Sequence, residues 1–418
     1  MNIKFRLTIM SFLQFFVWGA WLITIGTYCV SAKHWTFPEF GAIFSTLAIA
    51  SIFMPAITGI IADKLINAEK LYAFLHIFYG IVLFYVPSVN DPDTLYYVIL
   101  SAMIFYMPTI SLSNSIAFTI LKNNNYDVVK IFPMIRVWGT IGFIAAMWVT
   151  NLTNSNINAT QFMIGGGAAI LLGIYSFTLP KCPPPKSISE NASLLEKLGL
   201  NAFKLFANYK MALFFIFAMF LGAALQLTNM YGDQFIYNFG TMTQYADSLV
   251  VKYSTIVMSI SQISETVFII TIPFFLKRFG IKKVMLFSMI AWVLRFALFA
   301  YGNPGEGLWM IVLSCIIYGM AFDFFNISGS LFVETTTDSS IRSSAQGLFM
   351  MMTNGIGAYL GSKISGYVIS KYFLFADGTT NWQSTWLAFA IYSAIVAILF
   401  LIFFKHKHDP KALENVQH

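Results

Sequence analysis

A carboxylate and three amides stand in the middle of two consecutive hydrophobic segments. Glu265 lies near the centre of the apolar segment Tyr253–Leu276. Gln262 precedes it by about one helical turn, so the two side chains share one helix face. The preceding apolar segment carries Gln226 and Asn229 near its own middle. Because an ionisable group at bilayer depth costs roughly 3 kcal/mol or more unless it faces protein or water, these groups predict a polar site inside a membrane protein.

Further ionisable residues fall within later hydrophobic segments. Asp323 and Arg295 lie at similar distances from the same ends of two consecutive antiparallel segments, so they would reach a similar depth. Two interpretations of Asp323 stay open: a structural ion pair with Arg295, or direct contact with substrate or protons. Glu265 has no comparable partner in the sequence, which favours a functional role there. A carboxylate in a low-dielectric cavity can exchange protons near neutral pH, as a proton-coupled carrier requires.

Aromatic and hydrogen-bonding side chains surround these acids in the sequence. Tyr318 and Phe322 lie four residues apart and could stack on a planar ring, although ordinary packing between helices explains them equally well. Arg136, Thr140 and Phe143 share another helix face, where Arg136 could instead mark the inner membrane interface. Amides with a carboxylate suit a neutral ligand rich in hydroxyls and carbonyls.

The composition requires a membrane protein. The chain has 418 residues, of which 58% are hydrophobic and 10% charged, and its mean hydropathy is +0.71. Soluble domains carry about 25% charged residues, and no soluble fold could hide this much apolar surface. The net charge of +7 reflects the distribution of basic residues between loops, so we expect no binding to nucleic acid.

Motifs of soluble enzymes are missing from the sequence. It contains no nucleophile elbow, zinc motif, P-loop or dinucleotide fingerprint. Cys29, Cys182 and Cys315 match no metal or disulfide spacing. We therefore expect no enzyme activity, no catalytic residues, no metal and no cofactor.

Hydrophobicity predicts twelve membrane-spanning helices, each of about 20 residues or more. These segments are 7–30, 37–61, 71–89, 95–121, 132–152, 161–179, 211–236, 252–276, 284–302, 307–333, 343–370 and 382–404. One set of connecting loops holds nineteen Lys and Arg and the opposite set holds three. The basic set belongs in the cytoplasm, so we expect both termini there.

The longest polar stretch divides the chain into two halves. Lys181–Lys210 contains the capping-box sequence Ser193-Leu-Leu-Glu196 followed by leucines at helical spacing, which predicts an amphipathic helix on the inner leaflet. We predict a six-helix bundle over residues 1–180, a cytoplasmic linker over 181–210, a second six-helix bundle over 211–405 and a cytoplasmic tail over 406–418. An all-α membrane protein with this repeat has the major facilitator architecture.

Weak internal symmetry and one loop motif support this architecture. Ile135-Arg136 opens the fifth segment and Ile341-Arg342 opens the eleventh. Gly59-Ile-Ile-Ala-Asp63-Lys64, after the second segment, resembles the Gly-x-x-x-Asp-Arg signature of that superfamily, with lysine in place of arginine.

Four longer runs resemble the nucleoside:proton symporter family. They are Ser11-Phe-Leu-Gln-Phe-Phe-Val-Trp-Gly19, Phe132-Pro-Met-Ile-Arg-Val-Trp-Gly-Thr-Ile-Gly-Phe143, Ile260-Ser-Gln-Ile-Ser-Glu265 and Ala321-Phe-Asp-Phe-Phe-Asn-Ile-Ser-Gly-Ser330. The resemblance extends over nearly the whole chain. It implies proton-driven uptake of purine and pyrimidine nucleosides across a bacterial inner membrane, by alternating access of the two halves.

The resemblance also implies a set of site residues. Those that would contact the nucleoside are Arg136, Thr140, Phe143, Gln226, Asn229, Gln262, Glu265, Tyr318 and Phe322. Glu265 and Asp323 are the candidates for coupling to the proton. We expect a monomer that needs only nucleosides, protons and the lipid bilayer as partners.

Two other functions remain possible from the sequence. One is a facilitator-fold symporter for another neutral polar solute, such as a sugar. The other is a membrane sensor that moves no substrate. The sequence leaves open the preference among nucleosides, including xanthosine, the number of protons moved and which carboxylate carries the proton.

Overall fold

The described part of the molecule is helical. A computed structural model describes residues 2–184, 200–338 and 341–406, and outside the helices these ranges contain one isolated β-bridge, between Leu374 and Thr380. Contacts divide the chain into two compact units, Met1–Leu198 and Gly199–His418. The boundary falls within the predicted linker, and the finer limits predicted from the sequence stay a prediction.

The described residues of the first unit form six α-helices. They are α1 (Ile3–Gly19), α2 (Phe37–Lys64), α3 (Ala68–Tyr85), α4 (Pro92–Asn123), α5 (Val128–Leu152) and α6 (Thr160–Ser176), with a π-helix at Thr27–Ala32. Polar caps fix where the helices begin. Thr36 and Glu39 form a capping box at α2. The Thr94 N–H donates to Asp91 at the start of α4 and holds the pKa of that carboxyl below its usual range.

Glycine allows α1 and α5 to touch through their backbones. A Cβ on Gly142 would lie 2.1 Å from the carbonyl oxygen of Phe12, and one on Gly19 would lie 2.5 Å from that of Phe143. No side chain fits at either position. The contact fixes the distance and rotation of α5 against α1, and α5 carries three of the predicted site residues.

The chain after α6 is tied back to α3. The Cys182 N–H donates to Oε2 of Glu69 (2.8 Å), and the Ala68 N–H donates to the Cys182 carbonyl (3.0 Å). Burial raises the pKa of the Cys182 thiol to about 12, so this thiol stays protonated and unreactive at physiological pH.

The second unit begins with a 3₁₀-helix and continues with seven α-helices in its described residues. The 3₁₀-helix is Leu200–Ala207, and the α-helices are α7 (Tyr209–Asn238), α8 (Leu249–Lys252), α9 (Ser254–Tyr301), α10 (Leu308–Thr336), α11 (Arg342–Met350), α12 (Ala358–Tyr372) and α13 (Trp382–Phe403). A π-helix, Met351–Gly357, joins α11 to α12.

Helix α9 is two helices joined at a sharp bend. Gly280 adopts φ 77° and ψ 167°, a left-handed conformation that glycine tolerates and other residues rarely adopt. The bend separates α9a, residues 254–279, from α9b, residues 281–301. The predicted eighth and ninth membrane segments correspond to these two parts.

Helices lie in every one of the twelve predicted segments, but not all are long enough to count as spans. Among the described residues, eight helices are long and apolar enough to cross a membrane, and α9 contains two of the predicted spans. Helices α1 and α6 have 17 residues each. The eleventh segment is interrupted by the π-helix. The number twelve therefore stays a prediction.

Much of the predicted amphipathic linker helix lies outside the described residues, including Ser193-Leu-Leu-Glu196. Its described end is the 3₁₀-helix Leu200–Ala207. There Ala202 is fully buried, and the ring of Phe206 lies 5.4 Å from that of Phe215 at the start of α7. This end of the linker therefore packs against the second unit.

We predict that Gly142→Ala destabilises the protein by roughly 1–3 kcal/mol, because its Cβ has no space beside Phe12. Thermal unfolding of the detergent-purified protein measures this. Gly59→Ala is the matched control, since a Cβ on Gly59 meets nothing within 4 Å. It should leave stability unchanged or raise it by up to about 1 kcal/mol, because alanine favours helix. Equal unfolding temperatures for the two variants would contradict the backbone contact.

Candidate functional site

Helices α9a and α10 touch through their backbones beside Glu265. A Cβ on Gly319 of α10 would lie 2.6 Å from the Ser264 carbonyl oxygen and 2.8 Å from the Glu265 nitrogen. The Ser264 hydroxyl also donates to the carbonyl of Ile316. Small residues at such contacts let membrane helices approach closely. The contact brings Glu265 of α9a close to the part of α10 that carries Tyr318 and Asp323.

Two carboxylates interact at this contact, and Gln262 lies about one helical turn before the first of them on α9a. Glu265 is half-buried and interacts electrostatically with Asp323, which is 4% exposed. Tyr318 interacts electrostatically with both acids. Among the described residues, no hydrogen-bond partner reaches Asp323 Oδ2 or the buried Gln262 Oε1. These atoms can therefore accept a hydrogen bond from a ligand, or in the case of the carboxylate a proton.

The predicted aromatic face of α10 exists. The rings of Tyr318 and Phe322 are 5.8 Å apart and nearly parallel, at 4°. Trp292 of α9b meets Tyr318 edge-on at 6.0 Å, and the Arg295 guanidinium lies 4.7 Å from the centre of the Tyr318 ring. Helix packing thus accounts for one side of Tyr318. The half-buried Phe322 leaves part of the aromatic face uncovered.

Gln226 and Asn229 lie on α7 and are both half-buried. Helix α7 packs on the π-helix so tightly that a Cβ on Gly222 would lie 2.0 Å from the Thr353 carbonyl oxygen. Thr228, between the two amides, is buried and accepts a hydrogen bond from Arg295 Nε at 3.3 Å. Contacts on both sides of α7 therefore fix its rotation.

The three predicted residues of the first unit lie on α5. Arg136, Thr140 and Phe143 are each half-buried. The Arg136 guanidinium lies 4.0 Å from the ring centre of Phe15, a cation–π contact, and the edge of Phe143 faces Trp18 at 6.4 Å. Both aromatic partners are on α1, so the α1–α5 contact orients the face that these residues share.

The interpretation of Asp323 as the ion-pair partner of Arg295 is wrong. No salt bridge joins Arg295 to Asp323 in the described ranges, whereas Arg342 and Glu334 do form one, at 2.9 Å. Arg295 is fully buried and donates instead to the Ser314 carbonyl (2.5 Å) and, beside Thr228, to the Ser261 hydroxyl (3.3 Å). Neutral acceptors on α7, α9a and α10 satisfy the guanidinium, and Asp323 is left without a counter-ion.

Sequence reasoning missed a third buried acid. Asp233 of α7 is fully buried and accepts hydrogen bonds from the hydroxyls of Ser254 (2.9 Å) and Thr255 (2.7 Å). These are the first residues of α9a, so Asp233 positions the start of the helix that carries Glu265. Asp233 lies near the end of the predicted segment 211–236, where an acidic residue is equally compatible with the membrane interface.

A buried polar network in the first unit was also missed. The side-chain oxygen of Gln14, on α1, accepts a hydrogen bond from the Tyr72 hydroxyl (2.5 Å) and lies at hydrogen-bond distance from His76 Nε2 (2.9 Å). Its side-chain nitrogen donates to the Thr109 hydroxyl (2.9 Å). These bonds tie α1 to α3 and α4. The signal was available, because Gln14 is a polar residue in the middle of an apolar helix.

A model of the family described as "Nucleoside H+ symporter" matches residues 1–409. The chain belongs to the nucleoside H+ symporter family. One curated relative is the xanthosine permease of Escherichia coli, which is 50% identical over 416 residues, with 99% of each chain covered. The nucleoside permease NupG of the same organism is 49% identical over 421 residues, with both chains fully covered. The resemblance seen in the sequence is confirmed, and these relatives are transporters rather than enzymes.

Solved structures agree with this symporter family. A crystal structure of nucleoside transporter NupG as a D323A mutant has a TM-score of 0.94 at 49% identity and covers 97% of this chain and 100% of that one. A D-xylose-proton symporter, at 16% identity, shares the fold with a TM-score of 0.71 and covers 98% and 99%. The all-α fold of the major facilitator type is confirmed. With its long apolar helices, this chain is a multi-pass protein of the bacterial inner membrane.

The absence of an Arg295–Asp323 ion pair gives a testable expectation. Arg295→Lys should destabilise the protein by roughly 1–3 kcal/mol, because lysine cannot satisfy the same three acceptors. Combined with Asp323→Asn, its effect should add to that of the second change within about 0.5 kcal/mol in thermal unfolding. A departure from additivity of more than about 1 kcal/mol, in either direction, would instead indicate a direct interaction between the two side chains.

Proposed function

We propose that this symporter carries nucleosides into the cell together with protons. One observation supports this above the others: Glu265, Tyr318 and Asp323 form an interacting cluster at the α9a–α10 contact, in helices apolar enough to cross a membrane. Ionisable residues at such depth are functional by default. The chain is 50% identical to a xanthosine permease and 49% identical to a nucleoside permease, which supports nucleosides as the substrate class.

The nucleoside is proposed to bind through its two chemical parts. Gln226, Asn229, Gln262 and Glu265 offer amide donors and acceptors and a carboxylate to the ribose hydroxyls and to the edges of the base. Aromatic faces offer stacking, since offset or edge-on ring pairs add about 0.5–1.5 kcal/mol beyond the area buried. We assign that role to Tyr318, Phe322 and Phe143, and assign further polar contacts to Arg136 and Thr140.

The proton is proposed to bind at Glu265 or Asp323. Two negative charges close together in an apolar surrounding repel each other, and a single proton removes that repulsion. A nucleoside that donates a hydrogen bond to Glu265 also weakens the repulsion between Glu265 and Asp323. Binding of substrate and proton would therefore be coupled through the α9a–α10 contact, as symport requires.

The arrangement in the membrane is part of the proposal. The excess of basic residues in one set of loops supports cytoplasmic termini and an even number of spans, which we propose is twelve, arranged as two six-helix bundles. We also propose a monomer, which multi-angle light scattering of the detergent-purified chain tests directly.

Uptake into proteoliposomes tests the function. Labelled uridine, adenosine and xanthosine should accumulate above the external concentration when the outside is acidic, and accumulation should disappear with an uncoupler. Competition by sugars rather than nucleosides would favour a symporter for another neutral polar solute. Binding of nucleosides without any accumulation would favour a sensor.

The roles of the polar pair lead to a second prediction. Glu265→Gln should abolish accumulation driven by a pH gradient, because the neutral amide can neither take up a proton nor repel the charge of Asp323. Gln262→Ala should reduce uptake by about tenfold or more through lost amide contacts. Initial rates of uridine uptake at equal protein density measure both. Glu306→Gln, at an exposed position, is the matched control. Uptake at the control level in both variants would remove this site assignment.

Stacking on Tyr318 leads to a third prediction. Tyr318→Leu should raise the KM for uridine by about 2- to 12-fold, the equivalent of one aromatic pair, whereas Tyr318→Phe keeps the ring and should change KM by less. Tyr301→Leu, on a 54% exposed residue at the end of α9b, controls for general loss of an aromatic side chain. Equal KM values for Tyr318→Leu and Tyr301→Leu would contradict a stacking role.

A further inference from the structure

The first unit carries a long groove beside the start of α1. It encloses about 680 Å³. Residues of α1 form most of its lining, and Trp138 of α5 and Leu171 of α6 complete it. Asn2 and Lys4 stand at one end, and the lining beyond them is almost entirely apolar. None of the predicted nucleoside or proton residues lines this groove.

The groove has the length of one membrane leaflet. Its α1 residues extend from Asn2 to Leu13. At 1.5 Å per residue this is about 16 Å, and half of a hydrocarbon core is about 15 Å. Phe5, Trp138 and Leu171 are 56%, 44% and 57% exposed. Large apolar side chains are therefore left uncovered along the groove.

The polar end of the groove favours a negative charge. Lys4 has no ion pair among residues 2–184, and its ammonium lies 5.0 Å from the ring centre of Tyr126. It belongs to the first turn of α1, where the helix dipole also favours an anion, while Asn2 Oδ1 accepts the hydrogen bond of the Lys4 N–H. The groove is thus amphipathic, with a cationic mouth and apolar walls.

We propose that this groove binds one anionic glycerophospholipid from the leaflet on the side of the N-terminus. Its phosphate lies at Lys4, and one acyl chain follows α1 past Phe5 and Ile9 and packs against Trp138 and Leu171. A free phosphate ion would leave the apolar length uncovered, and a zwitterionic lipid would offer Lys4 a phosphate but place its own ammonium group beside that cation. Basic sites between helices at the membrane surface recognise anionic headgroups in this way.

The occupant would act on the contact between α1 and its neighbours. The groove touches α1, α5 and α6 together, and α1 packs on both of the other helices. Phe12 lines the groove with its side chain and meets Gly142 of α5 with its carbonyl. A lipid seated there would stabilise the first unit without contacting the nucleoside. The proposal therefore holds or fails independently of the proposed function.

Lipid binding to the purified, delipidated full chain tests the proposal in the absence of nucleoside. Native mass spectrometry would measure the affinity for phosphatidylglycerol and for phosphatidylcholine with identical acyl chains. We expect phosphatidylglycerol to bind at least fivefold more tightly, and Lys4→Gln to lower its affinity by about fivefold, as loss of one basic residue near the headgroups predicts. Leu171→Trp, which fills the groove, should lower the affinity for both lipids by about tenfold, the effect of displacing two methylene groups.

Matched controls separate this groove from general effects. Lys70→Gln removes an exposed positive charge at the start of α3, and Ile81→Trp enlarges a 55% exposed residue on the lipid-facing side of α3. Both should bind phosphatidylglycerol as the unmodified chain does. Equal affinity for the two lipids, or unchanged phosphatidylglycerol binding in Lys4→Gln, would overturn the proposal. Helical content by circular dichroism checks that each variant is folded.

Discussion

The hydrocarbon interior of a membrane offers no hydrogen-bond partners, so each charged group inside these helices must be satisfied by the protein itself. Arg295 meets this constraint with one carbonyl and two hydroxyls from α10, α9a and α7. Asp233 meets it with the hydroxyls of Ser254 and Thr255. Asp323 has an oxygen without any hydrogen-bond partner in the described structure. This unsatisfied oxygen therefore supports the proposed role of Asp323, together with its neighbour Glu265, in transport.

Close backbone contacts make this arrangement possible. Three glycines have no space for a side chain because another backbone touches them: Gly319 meets Ser264, Gly222 meets Thr353 and Gly142 meets Phe12. Helices at such short distances hold their polar faces at a fixed rotation, which loosely packed helices in lipid would not do. Each of these glycines lies near a predicted site residue. The close packing at the glycines therefore helps to set where the neighbouring polar side chains lie.

The sequence predicted the fold class because hydrophobic length is visible in the chain, and it predicted the family through the four runs that resemble it. It singled out Glu265 and Asp323 as polar residues within apolar segments, but it did not predict that the two acids interact. It did not predict the partners of Arg295, because a backbone carbonyl such as that of Ser314 leaves no mark in the sequence. It underestimated Asp233 because depth near the end of an apolar segment is ambiguous. The π-helix at Met351–Gly357 was also invisible, since helix periodicity does not distinguish it from an α-helix.

The acids at the α9a–α10 contact are proposed to bind a proton together with the nucleoside. Proton entry into proteoliposomes tests this, followed with a pH-sensitive dye inside them, when uridine is added outside without an imposed gradient. We expect acidification by the unmodified chain. We expect none by a Glu265→Gln, Asp323→Asn double variant that still binds uridine in calorimetry. Equal acidification by the double variant would show that the proton binds elsewhere.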